Sequence, residues 1–75
     1  MEKTIGLNLK KYRLLNHMSQ LELSNISEIS RNYISEVESG KYNNISIICI
    51  CKWCKALKIT PNDLIPEEYW RADYE

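Results

Sequence analysis

Residues 19–38, SQLELSNISEISRNYISEVE, have the pattern of two short helices joined by a tight turn. Ser19 and Ser30 each precede a helical run, where a side-chain oxygen can accept a hydrogen bond from a free backbone N–H of the first turn. Ile34 and Val37 follow at helical spacing and therefore share one inward face. The stretch predicts a helix-turn-helix.

The second of these helices has a polar side opposite its inward face, and this side carries Arg31, Asn32, Ser35 and Glu36. A helix that is buried on one side and has hydrogen-bonding side chains near its N-terminus fits the major groove of DNA. The polar side is therefore a candidate surface for reading bases.

The whole chain predicts an all-α fold of five helices, with the helix-turn-helix at helices 2 and 3. We expect helices over about 4–15, 19–25, 30–38, 47–57 and 61–65. The spacing of Ile5, Leu9 and Tyr12 predicts the inward stripe of the first helix. Leu21 and Leu23 supply apolar positions of the second helix.

Small residues and turn formers mark several helix ends. Thr4 is the expected cap of the first helix, and Gly40 can adopt the left-handed conformation that ends the third. Thr60 followed by Pro61 is typical of a cap and a first helical position. Ser24 stands where a bulky side chain would push the two helices of the motif apart.

The composition is that of one small, ordinary globular domain, with 75 residues, 44% hydrophobic and 27% charged. No apolar run approaches the roughly 20 residues of a membrane span, and the N-terminal segment lacks the apolar core of a signal peptide. We therefore expect a cytoplasmic protein without a membrane partner.

The net charge is zero, which taken alone argues against a nucleic-acid-binding protein. The charges are distributed unevenly, however. All but one of the ten basic residues lie before residue 61, and half of the ten acidic residues lie after it. The helical part of the chain is therefore basic, and the distribution permits DNA binding.

The chain divides into a predicted domain over 1–65 and an acidic, aromatic tail over 66–75, PEEYWRADYE. Leu7 and Leu14 lie away from the inward stripe of the first helix, seven residues apart. Either the tail folds back over these leucines, or both join in a dimer contact.

Several landmarks occur together, in a characteristic order and spacing. They are Ile5-Gly6, Arg13, Ser19-Gln20, Leu23, Ile29-Ser30, Ile34-Ser35, Val37-Glu38, Gly40, Ala56-Leu57 and Asp63-Leu64. With them, the chain up to Ile65 resembles the lambda-repressor-like, Cro/C1-type helix-turn-helix proteins, also called XRE-type regulators. Small members of that family are typically transcription regulators that bind operators as dimers.

The sequence departs from the family pattern at three places. Glu28 occupies the turn position that often holds glycine, and a positive φ there would strain a non-glycine residue. The loop after Gly40 is about one residue longer than usual, and Ile45 replaces a common proline.

The resemblance implies that Arg31, Asn32 and Glu36 face base edges. Arginine can fork onto guanine O6 and N7, asparagine can pair with adenine N6 and N7, and glutamate can accept from cytosine N4. Ser35 is expected to meet a thymine methyl or the sugar-phosphate backbone. The alternative is a solvated helix face, with Arg31 bonded to Glu28 or Ser35.

A second set of residues is expected to contact the DNA backbone: Gln20, Ser30, Tyr33, Lys41, Tyr42, Asn43 and Asn44. Gln20 begins the second helix, whose N-terminus attracts a phosphate. Lys10 is a weaker candidate. Ordinary turn chemistry explains the two asparagines equally well.

The resemblance also implies that Arg13 and Glu38 form a structural ion pair between the first helix and the end of the third.

Cys51-Lys52-Trp53-Cys54 is a CxxC with Cys49 close by, which raises the question of a metal or redox site. A zinc site would need further ligands at suitable spacing, and a thioredoxin-like site would need a βαβ unit. We therefore expect no metal and no cofactor. The cysteines are interpreted as small packing residues and Trp53 as a core residue.

Taken together, these features predict a sequence-specific transcription regulator, a repressor that binds a pseudo-palindromic operator as a homodimer and needs no small-molecule effector. No catalytic constellation is apparent, so an enzyme is not expected. A protein-interaction module or antitoxin-like partner with weak or no DNA binding is the alternative. A regulator that senses metal or oxidant through its cysteines is a third hypothesis. Phage switch, restriction-modification controller and antitoxin contexts all remain open.

Overall fold

The computed structural model describes residues 4–42 and 44–69. It contains five α-helices and one 3₁₀ turn: α1 (Ile5–Leu15), α2 (Gln20–Ser27), α3 (Arg31–Glu38), α4 (Ile47–Leu57), α5 (Pro61–Leu64) and Glu67–Tyr69. The described residues form no strand. The all-α, five-helix prediction is confirmed, with α2 and α3 as the helix-turn-helix.

Serine or threonine caps begin the first four helices. The side chains of Thr4, Ser19, Ser30 and Ser46 accept from the backbone N–H of Leu7, Glu22, Tyr33 and Cys49, respectively. At α5 the cap residue donates instead: the backbone N–H and the hydroxyl of Thr60 donate to the Asp63 carboxylate, at 3.0 and 3.1 Å. Local chemistry therefore sets these helix starts.

Helix α2 ends two residues later than expected, at Ser27 instead of Asn25. The Ser27 hydroxyl donates to the Leu23 carbonyl at 2.7 Å, so the buried serine is satisfied inside the helix. Glu28 then takes a left-handed conformation, with φ of 61°, and ends α2. Helix α5 ends one residue early, at Leu64.

The helices enclose one hydrophobic core. Its fully buried side chains are Trp53, Leu9, Leu23, Ile34, Leu57, Leu64 and Val37. Trp53 is thus confirmed as a core residue. Leu21 is 56% exposed, so the expectation that it belongs to the apolar side of α2 is wrong. Residues two apart on a helix point in different directions, and Leu23 alone faces inward.

Helices α1 and α3 touch at backbone distance. Gly6 is buried, and a Cβ built on it would overlap the carbonyl oxygen of Val37. Ser24, where a bulky side chain was expected to push the two helices of the motif apart, is only half-buried. Gly6 is therefore the residue whose small size this fold requires.

The three cysteines have three different environments. Cys54 is buried in the core, Cys49 is half-buried against it, and Cys51 is exposed. The packing interpretation is therefore wrong for Cys51, which lies at the solvent edge of α4. Burial raises the pKa of the Cys54 thiol to about 11, helped by the charges of Cys51 and Asp63.

The surface of α1 keeps two exposed leucines, Leu7 at 43% and Leu14 at 54%. Of the tail aromatics that could fold back over them, Tyr69 is 48% exposed, and Trp70 and Tyr74 lie outside the described residues. Among the helices described, none has the length and apolar character that crossing a membrane requires. The same residues include no group of three or more His, Cys, Asp or Glu placed to hold a metal ion.

Candidate nucleic-acid interface

The outer side of α3 presents three polar side chains to solvent. Ile34 and Val37 are fully buried and fix the orientation of the helix, which leaves Arg31, Asn32 and Ser35 exposed. Arg31 and Asn32 are the first two residues of α3, and their side chains make no hydrogen bond or ion pair within the described chain. They are available to an external ligand.

Glu36, the fourth base-reading candidate, is engaged within the protein. Its Oε2 lies 2.8 Å from the Lys41 ammonium, and the Tyr42 hydroxyl points to its Oε1 at 3.5 Å. Glu36, which was expected to read a base, is therefore bound to Lys41 and Tyr42, which were expected to contact the DNA backbone. Hydrogen bonding to Glu36 raises the pKa of Lys41, with the charges of Glu36 and Tyr42 adding to the effect.

The end of α3 explains this contact. Gly40 has φ of 88°, its N–H donates to the Val37 carbonyl, and the Lys41 N–H donates to the Glu36 carbonyl, each at 3.0 Å. This pair of bonds is a Schellman motif, which folds the chain back over the last helical turn. The spacing of Glu36, Gly40 and Lys41 is the sequence signal from which the contact could have been predicted.

Tyr33 has a packing role in addition to its expected place beside the DNA backbone. Its ring lies between Tyr42, with centroids 5.5 Å apart, and the buried Trp53, with centroids 6.0 Å apart. Desolvation is the main cause that raises the pKa of Tyr33. The aromatic column attaches the loop after α3 to the core.

The remaining backbone candidates differ in exposure. Ser30 is exposed, and its oxygen accepts from the Tyr33 N–H at 3.1 Å, which leaves its O–H as a donor. Asn44 is exposed, whereas Asn43 lies outside the described residues. Tyr42 is 37% exposed.

Behind α3, one carboxylate joins three helices. Arg13 Nε lies 2.8 Å from Glu38 Oε2, Arg13 Nη2 donates to Oε1 at 2.9 Å, and Gln20 Nε2 donates to the same Oε1 at 3.1 Å. Arg13 also donates from Nη1 to the Met18 carbonyl at 2.7 Å. The hydrogen bond to Glu38 raises the pKa of Arg13.

Gln20 was expected at a phosphate, and its amide nitrogen is instead bonded to Glu38. A shallow cavity opens beside this network, lined by Lys10, Arg13, Gln20, Ser35, Glu38 and Ser39. Its exposed lining residues are Lys10, Ser35 and Ser39. The ion pair was expected from the family resemblance, whereas the spacing of Gln20 and Glu38, eighteen positions apart on different helices, carries no signal for their contact.

Comparisons with known proteins agree with this geometry. The sequence profile of the helix-turn-helix family matches residues 9–64. The chain is similar to the crystal structure of the restriction-modification controller protein C.AhdI from Aeromonas hydrophila, with 34% sequence identity and a TM-score of 0.76 over 81% of this chain and 91% of that one. No curated protein matches the sequence significantly. The chain therefore belongs to the Cro/C1-type, XRE family of helix-turn-helix proteins, which are DNA-binding transcription regulators and not enzymes.

Proposed function

We propose that the protein is a sequence-specific repressor that binds a pseudo-palindromic operator as a homodimer, with α3 in the major groove. The observation that carries this proposal is the pair Arg31 and Asn32, exposed and without partners in the described chain, at the N-terminus of a helix held by two buried residues. Such a pair is preorganised to meet base edges, because neither side chain must first give up an internal contact.

The base contacts follow from donor and acceptor geometry. Arg31 can fork onto a guanine and Asn32 onto an adenine, and each such pair discriminates by about 1–3 kcal/mol against the wrong base. Ser35 lies on the same exposed side and can approach a thymine methyl or a phosphate. In this proposal Glu36 reads a cytosine only after it leaves Lys41.

Phosphate contacts are proposed from both sides of α3. Lys41, Tyr42, Asn43 and Asn44 supply donors from the loop, and Ser30 supplies its hydroxyl from the turn before α3. Gln20 acts less directly than expected: its side chain fixes the start of α2 against Glu38, so that backbone N–H groups there can face a phosphate.

A homodimer follows from the size of the reading surface. One helix of this kind reads only about half a turn of DNA, so a useful operator needs two half-sites about 34 Å apart. Occupancy would then follow protein concentration, without a small-molecule effector. A cytoplasmic location is part of this proposal, since such a regulator must reach its operator.

The similarity to a restriction-modification controller favours that context over a phage switch or an antitoxin. The two proteins share 34% of aligned residues and most of their length, which is enough to make a shared kind of regulation a reasonable proposal. The regulated gene would then encode an enzyme of a restriction-modification system.

The test is a selection of binding sites from random duplex DNA at physiological salt, with sequencing of the bound pool. We expect an inverted repeat with half-sites about one helical turn apart. Arg31→Ala should relax selection at a guanine and Asn32→Ala at an adenine, each in both half-sites. Asn62→Ala, an exposed asparagine on α5, is the matched control and should leave the recovered site unchanged.

Two results would count against this proposal. An unenriched pool would favour the protein-interaction module. A site recovered equally well by Arg31→Ala and Asn32→Ala would place the reading surface elsewhere.

A further inference from the structure

We propose that Glu36 and Lys41 form a charge pair that opens on operator DNA and stays closed on other sequences, so that the pair contributes to discrimination between them. This inference rests on the proposed function, because it assigns a regulatory step to the same α3 surface.

The backbone conformation after α3 places the two charged side chains of the pair next to each other. The Schellman motif at Gly40 brings the Lys41 ammonium to 2.8 Å from the Glu36 carboxylate. The same ammonium lies 5.6 Å from the centre of the Tyr42 ring. Since Tyr42 packs on Tyr33, opening the pair does not release the loop from the core.

A closed pair weakens attraction to any DNA. Lys41 cannot neutralise a phosphate while it neutralises Glu36, and each phosphate neutralised adds to affinity by releasing counterions. If Lys41 moves to a phosphate, the Glu36 carboxylate is left alone on a helix face directed at a polyanion. On DNA of arbitrary sequence this cost offsets the gain.

Operator DNA can replace the lost partner. A cytosine below Glu36 offers its N4 amino group, a donor that suits a carboxylate. Glu36 then exchanges Lys41 for the base, and Lys41 is released to a phosphate. One base identity thereby controls two contacts.

The pair is weak enough for this exchange. The Glu36 side chain is 39% exposed and that of Lys41 is 58% exposed. Exposed pairs of this kind change an equilibrium by at most about fivefold. Contacts with DNA can therefore open the pair, and we expect its removal to change DNA affinity by no more than about fivefold.

The experiment is a double-mutant cycle. Affinities for the selected operator and for a scrambled duplex of equal length are measured over a range of salt concentrations for the wild type, Glu36→Gln, Lys41→Gln and the double variant. Glu36→Gln should bind the scrambled duplex about two- to fivefold more tightly, with a salt slope steeper by about 0.9. Its preference for the operator should fall.

In the Lys41→Gln background, the gain from Glu36→Gln should largely disappear. Glu28→Gln is the matched control: it removes the same charge from an exposed side chain outside the pair, and it should leave the operator preference unchanged. Thermal melts of all variants confirm that folding is retained.

Equal effects of Glu36→Gln with and without Lys41 would overturn the inference, because Glu36 would then act only by repelling phosphates. Equal effects of Glu36→Gln and Glu28→Gln would also overturn it. If the wild type selects no operator, the proposed function fails, whereas the coupling measured on the scrambled duplex still tests the pair itself.

Discussion

The guanidinium of Arg13 forks onto both carboxylate oxygens of Glu38, at 2.8 and 2.9 Å, where both side chains are more than nine-tenths buried. The two residues are twenty-five positions apart and lie on α1 and α3. Gln20 of α2 shares the same carboxylate. The orientation of α3 is therefore set from behind by a charged contact as well as by the core.

Arg13→Ala should lower the free energy of unfolding by about 3–5 kcal/mol, because the buried Glu38 carboxylate loses its cation and keeps only the neutral amide of Gln20 as a donor. Urea denaturation measures this loss. Lys41→Ala breaks an exposed ion pair that water screens, so its effect on stability should be much smaller. DNA binding by Arg13→Ala should weaken only as the folded fraction falls. If Arg13→Ala unfolds at the same urea concentration as Lys41→Ala, the structural role of Arg13 is contradicted.

Gly6→Ala should destabilise the protein by about 3 kcal/mol, the upper end for an overpacked contact. The added methyl group meets the backbone of Val37, which cannot rotate away as a side chain could. Gly40→Ala is an informative comparison, since its Cβ would meet nothing within 4 Å and only the positive φ is strained. That strain amounts to about 1–2 kcal/mol. Thermal unfolding should rank Gly6→Ala as the more severe change.

Glu28→Gly should stabilise the protein by about 0.5–1 kcal/mol. Glu28 ends α2 with φ of 61°, and relief of about 1–2 kcal/mol of left-handed strain exceeds the entropy lost by a new glycine. Lys58→Gly, with φ of 58° at the end of α4, should behave alike. Asn25→Gly, within α2, should instead lower the melting temperature. A lower melting temperature for Glu28→Gly would show that the turn is unstrained.

Stability should fall as the pH rises from about 9 to 11, in part because of Cys54. Its pKa is raised from 9.0 to about 11 by burial, so above pH 9 the unfolded state loses this proton while the folded state keeps it. By linkage, the free energy of unfolding then decreases, by about 2 kcal/mol at pH 11 for this group alone.

Urea denaturation at a series of pH values measures the slope, and Cys54→Ala provides the reference. That variant should be less stable throughout but should show a smaller decline over this window. Cys51→Ala, which changes an exposed thiol, should keep the wild-type decline. Parallel curves for Cys54→Ala and the wild type would assign the decline to other groups.

Predictable features were those whose contacts are local. Ser19, Ser30 and Ser46 cap helices through bonds that reach only three residues along the chain, so their spacing alone identifies the helix starts. The alternation of Ile34 and Val37 with polar residues likewise predicts which side of α3 is inward. From these patterns follow the helix-turn-helix and the exposure of Arg31 and Asn32.

The pattern at the end of α2 was less informative. A serine at position 27 does not distinguish a helix interior from a turn until the Leu23 carbonyl is seen to accept a hydrogen bond from its hydroxyl. Leu21 and Leu23 are equally apolar, and only the packing of α2 shows that one of them is exposed.

Sequence alone therefore determined the helices, their starts and the polar side of α3, because hydrogen bonds and side-chain periodicity within one helix depend on spacing along the chain. The contact between Glu36 and Lys41 belongs with these local features, because the left-handed Gly40 turns the chain back over the last turn of α3. Tertiary structure decided which groups of different helices meet: Gly6 with Val37, and Gln20 with Glu38. These contacts depend on how separate helices approach one another, which no spacing along the chain specifies.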